Sequence, residues 1–154
     1  MTEYTTMRQL ILATIDKFKA AGRLGYVMTP TGAIVPAYRH QDGSSGCAIG
    51  IHLSASSAAA WDKEGEQYHT YTIDSLPKVS EVVAMEVRQV FNGIHPLDLR
   101  GMQREHDSVV LQMEFDIRPT RIGELDAETR KEIDTRYLNK FLGALVTMLK
   151  RYPE

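Results

Sequence analysis

Cysteine is almost missing from this chain. Cys47 is the single thiol in 154 residues, which excludes an intrachain disulfide and gives secretion no support. An excess of one charge is missing too: 18 Lys plus Arg stand against 20 Asp plus Glu, a formal net charge of −2. Nucleic-acid binding by counterion release needs clustered positive charge, and no Lys/Arg-dense stretch supplies it, so nucleic acid is not a favoured partner. Long apolar runs are absent as well. The longest uncharged stretch, Gly43 to Trp61, is full of Ser and Gly and holds His52, too polar for a membrane span. Met1 to Leu10 carries Glu3 and Arg8 and lacks the apolar run of a signal peptide. A cytoplasmic protein is expected, without a membrane partner.

Chemical signatures are equally sparse. His40, His52, His69, His95 and His106 are scattered without His-x-x-x-His or His–Glu pairing, so no metal site is expected. No glycine-rich phosphate loop, dinucleotide fingerprint or serine-nucleophile elbow occurs, and no cofactor is expected. What is present is an ordinary globular composition, 43% hydrophobic and 25% charged, at a length that suits one domain over residues 1–154.

Helical periodicity is plain at both ends. Met7, Leu10, Ile11, Thr14, Ile15 and Phe18 recur at three- and four-residue spacing, predicting a helix over 3–21 that Gly22 closes. Val79, Val82, Val83, Val87, Val90 and Phe91 predict another, ended by Asn92-Gly93, and Pro96 opens a short helix from Leu97 to Asp107. Asp126 is the expected N-cap of a last helix running to about Arg151. Its two stripes, Ile133-Tyr137-Phe141-Ala144-Met148 and Leu138-Leu142-Leu145-Leu149, are wider than a small core needs. Such a helix is either central or shared with a second copy through residues 133–149.

Extended structure is expected between these helices. Tyr26, Val27, Ile34, Val35, Tyr38, Ile49 and Ile51 favour two or three short antiparallel strands, with Thr29-Pro30-Thr31-Gly32 and Gln41-Asp42-Gly43-Ser44 as turns. Pro36 pushes its strand to an edge. Ser54 to Ala60 begins a short helix ending near Trp61, and Asp62 to Glu66 reads as an exposed loop. Over Ser108–Arg118 two periods compete. Leu111, Met113, Phe115 and Ile117 alternate with polar residues as in a half-buried strand, whereas a helix would use Val110, Met113 and Ile117. The alternation favours the strand. The predicted class is α+β and helix-dominated, amphipathic helices packed around a small antiparallel β-hairpin or three-stranded sheet.

Tyr38-Arg39, Asp42-Gly43, Cys47-Ala48-Ile49-Gly50, Trp61-Asp62-Lys63-Glu64-Gly65 and Met102-Gln103-Arg104-Glu105-His106-Asp107 form an ordered set after an amphipathic helix. The set resembles the signature of a family of small phage and bacterial proteins over about residues 5–107; residues 108–154 depart from that pattern as an extension. The resemblance implies a phage or bacterial setting and a fold, and it implies no reaction.

The residues themselves leave three readings open. Arg39, Gln103, His106 and Asp107 are the candidates for holding a small anionic ligand, with Arg100 and Arg104 as further cations. A cysteine/histidine enzyme would use Cys47 and His106 as catalytic residues, but Asp107, adjacent on a helix, is poorly placed to orient the imidazole. Buried cysteine is otherwise a small hydrophobe, and Asp107 would cap its helix or pair with Arg39. The favoured reading is a non-enzymatic interaction protein, phage-encoded, that binds a host or phage protein or a small ligand in the host cytoplasm. The third reading is a homo-oligomeric structural or accessory protein.

Overall fold

Thr6 accepts the amide of Gln9 and opens α1 (Met7–Ala21), and Gly22 closes it in the left-handed conformation at φ 77°. Met7, Leu10, Ile11, Thr14 and Phe18, the stripe legible in the sequence, are its buried face. The computed structural model describes residues 2–38, 46–68, 80–118 and 121–154, with the backbone alone at 64–68. Among these residues α1 is followed by β1 (Tyr26–Met28), β2 (Ile34–Pro36), α2 (Ala55–Tyr68), α3 (Glu81–Val90), α4 (Pro96–Ile117) and α5 (Ala127–Leu149). The class is α+β and helix-dominated, as expected.

The strands form an antiparallel hairpin with Val27 opposite Val35, turned by Thr29 to Gly32. Pro36 is the last residue of β2, whose outer side lies against α4, where the Ile34 amide donates to Glu114 Oε2 at 2.9 Å. A third strand is not formed at Ile49 and Ile51. The Cys47 amide extends the pairing by one bond to the Ala37 carbonyl, 2.8 Å, and the chain then coils into a short 3-10 turn over Gly50–His52.

Two other expectations are corrected. Residues 62–66 are not a loop: α2 continues through Asp62 to Tyr68, with Trp61 wholly buried on its inner side. The strand expected over Ser108–Arg118 is the second half of α4. His95 Nδ1 accepts the Leu97 amide, Pro96 occupies the first turn, and after Gly101 the sequence has no Gly or Pro until Pro119. Leu99, Met102, Gln103, His106, Val110 and Met113 then lie on one buried stripe. The alternation was half coincidence. Met113 and Ile117 turn inward, and Leu111 and Phe115 turn out.

Asp126 caps α5 by accepting the Thr129 amide at 2.7 Å, as its sequence position implied. α5 packs against both α1 and α4, and Phe141 and Leu145 are fully buried. Ile133, Leu142 and Leu149 are partly buried against the same core. The second half of α4 and α5 thus contribute to the interior, while Val146 of α5 stays half exposed. α3 buries Val83, Ala84, Val87 and Val90 but leaves Val82 outside.

Candidate functional site

Tyr38, Cys47, Gly50, Trp61, Asp62, Gln103 and His106 come together at a junction between β2, α2 and α4. Tyr38 stands at its centre. Its amide donates to Asp62 Oδ1 at 2.8 Å, its hydroxyl accepts from Gln103 Nε2 at 3.1 Å, and its ring stacks on Trp61. Its carbonyl fills the space beside Gly50, where a Cβ would come within 1.8 Å of that oxygen. Only glycine fits there. Burial, with Cys47 adding to it, pushes the Tyr38 hydroxyl well above the usual phenol range.

Cys47 lies in the same interior, and its sulfur accepts the Gly50 amide at 3.3 Å. Burial pushes the thiol well above its ordinary range, and the Asp107 carboxylate adds to this; the Gly50 and Ile49 amides pull the other way without reversing it. A thiol so placed stays protonated, and the nucleophilic species is the thiolate. Among the described residues no hydrogen bond joins this sulfur to an imidazole.

His106 is fully enclosed, its ring set between Phe18 and Phe141 with centroids 5.6 and 5.4 Å away. The Gly25 amide donates to Nε2 at 2.9 Å, so that nitrogen bears no proton. Nδ1 carries the proton and donates to Asp107 Oδ1, also at 2.9 Å. Asp107, which its helical position was expected to place poorly for orienting the ring, folds back over its own turn and reaches it. Asp107 is not a helix cap either, because α4 runs ten residues past it to Ile117. Both lone functions of the imidazole are taken, leaving none to draw a proton from Cys47.

Gly25 explains why this junction closes. A Cβ there would lie 1.9 Å from the Gly46 carbonyl carbon and 2.3 Å from the Cys47 nitrogen. The entry to β1 thus crosses the Cys47 segment at backbone distance while handing its amide to His106. Nothing in the spacing of the sequence marked Gly25, although a glycine before a β-rich run was the available signal.

Of the ligand-binding candidates, Gln103 and His106 are engaged inside, and the Asp107 side chain is 27% exposed. Arg39 and the expected Asp42-Gly43 turn lie outside the described residues. Among the described residues no three metal-ligating side chains gather, and no helix is long and apolar enough to cross a membrane. A shallow depression lined by Glu128, Lys131, Glu132, Thr135 and Arg136 lies on α5, away from the junction.

The outward side of α4 differs in kind. Leu111 and Phe115, one turn apart on α4, are 56% and 66% exposed, and the Arg118 guanidinium stands over the Phe115 ring at 5.8 Å. Ile34 is bonded to Glu114 and Tyr38 to Gln103, so β2 runs antiparallel to α4 and Val35 falls level with Leu111. Val35 is exposed on the outer face of the hairpin. Reading the helical period through 108–118 would have revealed this patch in the sequence.

No protein-family model matches the chain, nor does any curated protein or any solved structure.

Proposed function

We propose that this chain is a non-enzymatic interaction protein that docks a partner protein on the patch formed by Val35, Leu111 and Phe115. One observation carries the reading: two large apolar side chains stand mostly in solvent one turn apart on a helix whose opposite face is fully packed. Large aromatic and aliphatic side chains exposed together are characteristic of binding surfaces. The saturated junction supports the same reading, since Cys47 and His106 hold the hairpin to its helices with no reactive atom left over. In the phage or bacterial setting implied by the ordered signature, the partner is a host or phage protein in the host cytoplasm.

A photocrosslinking amino acid placed at position 115, in cells of the native host, tests this directly. The expected result is a discrete adduct that disappears in a Leu111→Asp background and is absent with the crosslinker at position 131. An unreacted chain at position 115 would remove the docking surface.

A further inference from the structure

Asp107, Leu111, Phe115 and Arg118 follow one another at spacings of four, four and three residues, so they form a single stripe along α4. The stripe has a direction. It is anionic at its first end, apolar in the middle and cationic at its last, and it ends where α4 ends. A two-fold axis on the outward side of α4, midway between Leu111 and Phe115, lays an identical stripe over it in the opposite sense. Leu111 then meets the partner's Phe115, and Arg118 reaches the partner's Ser108 and Asp107. The parallel arrangement would instead set Arg118 on the partner's Arg118. Arg104, the nearest other cation on this side, falls past the end of the partner's α4, about a turn beyond the Arg118 contact.

We propose that the outward stripe of α4 is a two-fold interface between two copies of this chain, packed antiparallel. The proposal rests on the reading of this patch as a docking surface and names its occupant from charge complementarity. Arg118 already shields one face of Phe115, and the partner's Leu111 covers what remains open. With two large apolar side chains per copy the contact is small, so the dimer is weak, with dissociation on the order of tens of micromolar.

Sedimentation of the full chain across micromolar to near-millimolar concentrations tests it. The wild type is expected to pass from monomer to dimer. Arg118→Glu is expected to weaken association tenfold or more, with circular dichroism confirming that the variant stays folded at the concentrations used. Adding Ser108→Arg to Arg118→Glu restores it, because only the antiparallel register brings 108 of one copy to 118 of the other. A strict monomer at all concentrations overturns the proposal, as does a dimer indifferent to Arg118→Glu or one that Ser108→Arg fails to rescue. The position-115 crosslinker separates this from the broader reading: an adduct with a foreign protein and none between copies leaves the docking surface and removes the second copy.

Discussion

Tyr38 lies flat on Trp61, with ring centroids 4.0 Å apart and planes 13° from parallel. The stack ties the end of the hairpin to α2, while the Tyr38 hydroxyl, held by Gln103, ties it to α4. One residue thus joins three elements that lie far apart in the sequence. Trp61→Ala should cost about 4 kcal/mol, in the range for emptying a buried aromatic site. Tyr38→Phe should cost roughly 1–3 kcal/mol by removing the hydroxyl that accepts from the Gln103 amide. The double variant Tyr38→Phe/Gln103→Leu should recover part of that loss in urea titrations. Strict additivity would mean that the two side chains do not act as a pair.

Cys47 should be silent in the native protein. Labelling by a thiol reagent is expected to follow the urea transition measured by circular dichroism, because a buried, protonated thiol offers neither access nor thiolate. Stoichiometric labelling within minutes in native buffer would contradict this and revive a reactive role.

His106 and Asp107 make unequal contributions to one arrangement. His106→Ala removes the acceptor of the Gly25 amide and empties a site between two phenylalanines, so a loss on the order of 3 kcal/mol is expected. Asp107→Asn keeps an acceptor beside Nδ1 at a partly exposed position and should cost about 1 kcal/mol or less. A reversed order would indicate that the carboxylate, rather than the ring, organises the junction.

A second histidine gives the fold its acid sensitivity. Thr14 donates its hydroxyl proton to the Leu10 carbonyl at 2.6 Å and so receives one from His52 Nε2 at 2.7 Å. Nδ1 then accepts from the Tyr4 hydroxyl at 3.1 Å, which makes the ring neutral. Burial, with Lys17 adding to it, lowers the His52 pKa from 6.5 to about 3. The unfolded chain takes up the proton as pH falls through 6.5, whereas the folded one resists it until about 3. The contribution is therefore complete above pH 6.5 and declines through that window, by up to about 1.4 kcal/mol per pH unit. Urea midpoints at pH 7, 5.5 and 4.5 should show the decline, and His52→Gln should flatten it. Equal slopes in the two proteins would assign the acid sensitivity elsewhere.

The stripe of α1, the cap at Asp126 and the opening at Pro96 were legible because each depends on neighbours a few residues away. Residues 108–118 were misread because alternation and helical period overlap at Met113 and Ile117, and only packing distinguishes them. The Asp62–Glu66 segment was misread for a related reason: its charges mark the outer face of a helix as readily as a loop. At the site, Cys47 was legible as a small buried residue, but the convergence of Tyr38, Gln103 and His106 on it was not. Gly25, Phe18 and Phe141 meet His106 only through the tertiary fold, which leaves no periodic trace along the chain.

Glu114 grips β2 at Ile34, and Gln103 grips its continuation at Tyr38. Helix and strand consequently have a fixed alignment, since a slip by one residue would release both grips at once. Any molecule that lands on Val35 and Leu111 meets a surface whose disorder was already removed when the chain folded, so little binding free energy is diverted into ordering it. Cutting either grip should therefore slow recognition before it unfolds the protein.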